Sequence, residues 1–557
     1  MLKKLSLVAL FLLSVIYHVT GATHADTSKR VFGGTTGGSF AADGTLDYLK
    51  EAIVQLRKDS LEKGSHLLLT AVRTAEANRS VSRDSPYFTF ELFNLVEEIN
   101  SGRLAPDEKR LGLLVLKTLL TNENTTPSEK ILSTEFKHTV NTSFVKQLRI
   151  YILSFANPDK ANKEADGFLK SEPDNIPVNL LKMEYNYLLQ DYEKCITYAD
   201  KIIERSPRYA YVYRVRGEAL SETNQFEKAV ADFDTSIKLF PGEPKTYFDK
   251  GSALISLDKY REAVSPLMIA ARANPNHSSA IYDLARCYKG LNNNDSAMFC
   301  INIHIRLHPE DSFGYDLKGD IYGAKEDYPS AIELYTHAIS LNPKKAAFYE
   351  DRGDAYLYNK KYEQAIADFK KALSIDKSRA YANDRIGDAY YELNADDKAI
   401  SFHKKALEAD PEYKYAYWGL NRSYTRMGMY DEAIKSAKNG LKIDSTYSSI
   451  LGNLGWTYYL AGDYDQCIAY SQKAIQYDES ATYAMFNIGL AILRKGDFEK
   501  AKETYSRYVK LCKEKDFKIL DGATQDLHDL IDKKVAITEA QYILVHIFGE
   551  NENAVKQ

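Results

Sequence analysis

From Gly217 onward a small residue returns every 34 positions, at Gly251, Ala285, Gly319, Gly353, Gly387, Gly455 and Gly489, with Asn421 the exception. Twelve residues after these anchors stand Ala229, Ala263, Ala297, Ala331, Ala365, Ala399, Ala433, Cys467 and Ala501. Three residues after them the side chain is large: Leu220, Leu254, Tyr288, Tyr322, Tyr356, Tyr390, Tyr424, Tyr458 and Ile492. Pro241, Pro275, Pro309, Pro343 and Pro411 fall near the ends of their repeats. Two helices of about a dozen residues with two short turns fill such a spacing. Small residues belong where the two helices cross, because only they let the backbones approach. The large residue shares the anchor's helix face and fills the space beside the crossing. Proline ends the second helix, having no amide hydrogen and clashing with the preceding turn. The pattern predicts ten helical hairpins over about Asn175 to Leu511, the first marked by Met183, Cys195 and Pro207. A degenerate eleventh is expected to begin near Thr142, where Ala161, Ala165 and Pro173 keep the second-helix spacing.

Small residue, large residue, Ala and Pro in this register resemble the tetratricopeptide repeat (TPR) family. The resemblance implies an all-α, right-handed superhelical solenoid of about ten to eleven hairpins, with helical N- and C-terminal flanks. It also accounts for the 41 tyrosines against 23 Phe and 2 Trp. Tyr213, Tyr247, Tyr315, Tyr349 and Tyr417 take the early aromatic position, and Tyr192, Tyr260, Tyr328, Tyr362, Tyr430 and Tyr464 the inter-helix one. Asn421 departs from the small anchor, and Lys377, Ser445 and Glu479 stand where proline is usual.

The flanks lack the repeat. Lys3 and Lys4 precede an apolar run, Leu5 to Val19, with small residues at Ala22 and Ala25, which reads as a secretory signal over 1–25. The run is short for a membrane span, the alternative being an uncleaved anchor. The protein is expected to be exported, periplasmic or secreted. Residues 26–45 are rich in Gly, Thr and Ser, as in a flexible linker. Residues 46–141 carry helical periodicity without a register, 142–512 form the solenoid, and 513–557 close it with capping helices and a tail.

At 557 residues with 44% hydrophobic and 27% charged, the chain is an ordinary folded protein too long for one core. Loss of Lys3 and Lys4 would take the formal charge from −4 to −6, which gives no reason to expect nucleic acid. The five cysteines form no metal or redox spacing, although Cys287 and Cys300 share a hairpin and could pair. His304 and His308 are four apart on one helix but lack a third ligand, and His403 falls at a packing position. No phosphate loop, nucleophile elbow or metal motif appears, so neither a catalytic residue nor a cofactor is expected. Of six Asn-x-Ser/Thr sequons, Asn421 lies at a helix crossing where no glycan fits, and the set is read as chance.

What remains is the concave face that the resemblance implies. Positions three before and one after the anchor share a helix face. They give Asp316 and Asp320, Glu350 and Asp354, and Asp384 and Asp388 in three successive repeats. Like charges four apart destabilise a helix by roughly 0.2–0.5 kcal/mol per pair, so an acidic patch with a function is one reading. The other is a solvated face neutralised by Arg286, Lys318, Arg352 and Arg385. Further along, the lining turns aromatic: Tyr381, Tyr391, Tyr415, Trp418, Trp456, Tyr459, Tyr483 and Phe486. Such rings anchor protein partners and also stack on sugars; the remaining reading is contact with the C-terminal helices folded back inside. The expectation is a non-catalytic scaffold binding a protein or peptide partner, basic and apolar, in this groove. A glycan-binding module is the alternative, and an enzyme with its site in 46–141 a third reading.

Overall fold

The computed structural model describes residues 98–121, 142–518 and 522–551, and singly 55, 63 and 555. The expected signal and linker, and most of 46–141, lie outside the described residues. Every regular element among the described residues is helical, and the chain divides into two compact units, 1–300 and 301–557.

In the first unit α1 (Pro106–Thr121) precedes α2 (Ser143–Ala156), α3 (Pro158–Ser171), α4 (Ile176–Leu188), α5 (Tyr192–Arg205), α6 (Ala210–Glu222) and α7 (Phe226–Leu239). It continues with α8 (Pro244–Ser256), α9 (Tyr260–Ala273) and α10 (Ser278–Gly290), and α11 (Asn294–Leu307) runs across the division. The second unit holds the pairs α12 (Ser312–Ala324) and α13 (Tyr328–Leu341), α14 (Ala346–Tyr358) and α15 (Tyr362–Ile375), and α16 (Ala380–Glu392) and α17 (Asp396–Ala409). Then come α18 (Lys414–Arg426) and α19 (Tyr430–Ile443), α20 (Ser448–Leu460) and α21 (Tyr464–Tyr477), and α22 (Thr482–Arg494) and α23 (Phe498–Lys515). Within each unit successive helices pack on one another, as the all-α solenoid requires. Thr142 opens α2 with its hydroxyl accepting from the Val145 amide at 3.3 Å, and α2 packs on α3.

Three devices repeat with the sequence. From α4 onward, the turn after each first helix contains a left-handed residue, at Gln190, Asn224, Asp258, Asn292, Glu326, Lys360 and Asn394, then at Gly428, Gly462 and Gly496. The next amide reaches five residues back, as in Gln225 N to Leu220 O at 2.8 Å and Lys361 N to Tyr356 O at 2.8 Å. That closure satisfies carbonyls the helix end leaves over.

The second device is the crossing itself. A Cβ built on Gly217 would stand 2.7 Å from Phe233, on Gly319 2.6 Å from Tyr335, and on Gly489 2.7 Å from Tyr505. Each of those rings lies sixteen residues after its anchor, so the small residue makes room for one side chain of the second helix. His403 takes this place opposite Gly387, and Gly419 of α18 closes on its other face.

The third device is a side-chain turn that ends second helices with or without proline; Asp410, before Pro411, accepts from the Glu412 amide at 2.9 Å. α15, α19 and α21 stop in the register of α13 and α17, because Asp376, Asp444 and Asp478 follow them. Their carboxylates accept from the amides of Ser378, Thr446 and Ser480 at 3.0, 3.0 and 2.9 Å. Such a side-chain turn competes with the helix and ends it. The departures at Lys377, Ser445 and Glu479 therefore leave the helix ends unmoved.

The C-terminal segment folds as α24 (Gly522–Asp532), α25 (Ile537–Ile543) and a π-helical turn, Leu544–Phe548. Leu527, Leu530, Ile543 and Leu544 are buried with Met485, Phe486, Leu490 and Tyr505 of the last repeat. They cover the apolar face a final repeat would otherwise leave in water. All five cysteines are free and buried, and burial pushes the Cys287 and Cys300 thiols up, to about 12 and about 11.

Candidate functional site

Asp316, Asp320, Glu350, Asp354, Asp384 and Asp388 lie on α12, α14 and α16, and the structure gives most of them close partners. Glu350 is buried and clasped by Arg379, whose Nε stands 2.5 Å away. Asp384 is buried with its oxygen 2.7 Å from His403 Nδ1. Asp354 accepts from Arg385 Nε at 2.7 Å and from the Tyr381 hydroxyl. Asp388 is buried 3.0 Å from Arg385 Nη1, and Asp320 accepts from Tyr335 at 2.8 Å.

Glu350, Asp384 and Asp388 are therefore not an open acidic lining. Desolvating a carboxylate is costly unless a cation or donor meets it, and here each is met. Of the four cations expected to neutralise this face, Arg385 does so. Arg352 turns instead to Asp368, at 2.7 and 2.8 Å, and Arg286 in the first unit to Asp283, at 3.1 Å. Arg379 and Arg422, which the spacing rule did not select, complete the neutralisation. The negative charge gathers instead around Asp351. Burial first, then the carboxylates of Asp316, Asp320, Asp354 and Glu350, push its pKa up to about 9.

The aromatic positions separate into two groups. Phe486 is 4% exposed and packs on Tyr505 and Phe548, ring centres 6.0 and 5.7 Å away, so the chain's own C-terminal segment covers it. Trp456 and Tyr459 stack on each other at 5.1 Å and lean on the same cluster. The Tyr483 hydroxyl donates to Ser448 O at 3.2 Å. Tyr415, in contrast, is 44% exposed, edge-on to Tyr447. The guanidinium groups of Arg422 and Arg426 lie over the Tyr391 ring, 4.0 and 3.6 Å from its centre, and Arg422 also lies 4.5 Å from the centre of the Trp418 ring.

Between α18 and α20 lies a cleft of about 550 Å³, lined by Tyr391, Asn421, Arg422, Arg426, Met427 and Trp456 among others. Neither Asn421 nor the arginines were selected from the sequence, although Asn421 had been marked as the odd anchor. A second cleft, about 340 Å³, lies in the first unit around Glu218, Lys245 and Asp249. There Lys245 bridges both carboxylates, standing 2.9 Å from Asp249. Burial and the Glu218 charge push Asp249 up to about 7. Arg214 and Glu218 occupy the same pair of register positions as Glu350 and Asp354, so this site was within reach of the rule that found the other.

Two models of the tetratricopeptide repeat match the chain, one at residues 317–385 and 453–515, the other at 380–413. These stretches coincide with the hairpins, crossings and turns described above. The chain is a TPR protein. Proteins of this family are in general non-catalytic scaffolds that bind protein or peptide partners. No curated protein matches the chain. Among solved structures, MamA is 25% identical over 29% of this TPR chain and 94% of its own, with a TM-score of 0.27. YrrB, described as a TPR protein with an unusual peptide-binding site, is 20% identical over 33% of this chain and 95% of its own, TM-score 0.27. PilW, a type IV pilus biogenesis factor, is 23% identical over 35% and 91%, TM-score 0.33. At that likeness nothing of their binding carries over.

Proposed function

We propose that this protein is an exported, non-catalytic scaffold that holds an extended segment of a partner protein against the first helices of its second unit. One observation carries the reading. On α16, α18 and α20, aromatic and guanidinium side chains border an open cleft at positions that the crossing of the helices does not use. Aromatic and arginine side chains are the residues that most often anchor protein partners. Glycan stacking is the weaker reading of the same rings, because two guanidinium groups already lie over Tyr391 and one face of Trp456 carries Tyr459. Export rests on the signal pattern of residues 3–25.

The test is affinity capture with chemical cross-linking and mass spectrometry, from extracts of the cells that make the protein. The mature chain and a Tyr391→Ser, Tyr415→Ser variant serve as baits. A protein held by the first and lost by the second, cross-linked to 381–460, is the expected result. Equal capture by both baits would move the site elsewhere. Capture of polysaccharide alone, unchanged as salt rises, would favour the glycan reading.

A further inference from the structure

The fully buried Asn421 side chain donates through Nδ2 to Ala433 O and to Thr457 Oγ1, each at 3.1 Å. The Ala433 carbonyl decides which end of the amide faces it, since a carbonyl needs a donor. Oδ1 is then left buried, with no donor from the chain, in a residue that lines the cleft. The neighbouring hydroxyls do not supply one, because Thr425 and Thr457 bond each other at 2.8 Å and Thr457 donates to Asn453 O. A buried acceptor without a partner is costly, and native structures keep few.

Beside it, Arg422 is the loosely held cation of the region. Its nitrogens stand 3.6 Å from Asp388 and 3.4 Å from Glu392, whereas Arg385 and Arg426 reach their carboxylates at 2.7 Å. Good charge-assisted bonds are about 2.7–2.9 Å, so Arg422 has donor capacity to spare. Tyr391 and Trp418 hold its guanidinium plane in place. Met427 and Leu460, both exposed, add apolar surface to the lining.

We propose that this cleft takes an acidic–apolar stretch of the partner. A large apolar side chain fills the space, an Asp or Glu carboxylate accepts from Arg422, and a neighbouring amide N–H donates to Asn421 Oδ1 once the side chains over that buried atom move aside. The inference rests on the scaffold reading and names the partner's chemistry at that groove. It departs from the basic partner expected from the carboxylate positions, because Glu350, Asp354 and Asp388 already have arginine partners.

The test pans the purified full-length protein against a phage-displayed library of random linear peptides, then measures the enriched peptides on three proteins. These are the wild type, Arg422→Gln and Asn421→Ala, the last placing there the residue type found at Ala285. Peptides pairing Asp or Glu with Leu, Met or Phe should be enriched and should weaken about tenfold or more on each variant. If Asn421→Ala fails to fold by circular dichroism, Arg422→Gln, whose side chain is at the surface, carries the test. Enriched peptides that bind all three proteins alike, or that are rich in Lys and Arg, overturn the cleft assignment and leave the scaffold reading standing. No enrichment on the wild type overturns both.

Discussion

Asp351 shows what a single residue does when neighbours of its own sign surround it. Its carboxyl, ordinarily at 3.8, is pushed up to about 9 by burial and by four carboxylates. Between those values the folded chain keeps a proton that the unfolded chain has lost. Its stabilising contribution is thus complete below about pH 4 and disappears as pH rises through about 9. Stability of the second unit should fall from about pH 6 to about pH 9, and Asp351→Asn should flatten that fall. Denaturant midpoints at the two pH values measure it, and parallel slopes for wild type and variant would contradict the assignment. The sequence placed carboxylates on this face but could not place their cations. Arg379 reaches Glu350 from the edge of a neighbouring helix across 29 positions, a separation no local spacing rule covers.

At the scale of the element, the crossing conserves volume. Where the anchor is glycine, the residue sixteen further on is often a ring: Phe233, Tyr335, Phe369, His403 and Tyr505. Where the anchor is Asn421, that residue is Ala437, so the bulk has moved from the second helix to the first. Sequence alone showed Asn421 as a defect, because the compensating position had not been tied to the anchor. Ala437→Phe alone should destabilise by about 1–3 kcal/mol through overpacking. Combined with Asn421→Gly it should regain much of that loss, with a coupling of about 0.5–3 kcal/mol in a double-mutant cycle. Additive losses would show that the two sites do not share the space.

Across the whole molecule, the hairpins were legible because a repeat states each packing rule ten times in one register. The helix ends at Ile375, Ile443 and Tyr477 were less so, since an aspartate turn closes them without the proline. The aromatic shelf was legible in composition but not in extent. Phe486 follows the same register as Trp418 and is nevertheless covered, because Phe548 returns from 62 residues downstream to pack on it. Such long-range returns carry no periodicity.

The most direct measurement is site-specific photo-cross-linking in the producing cells, with a photoreactive amino acid at position 415 on the groove helix α18 and, separately, at exposed position 408 at the end of α17. Cross-linking from 415 to one defined segment of a partner protein, with none from 408, is the expected result. Equal cross-linking from both positions, or adducts from 415 only to this chain's own C-terminal helices, would contradict a partner-binding groove.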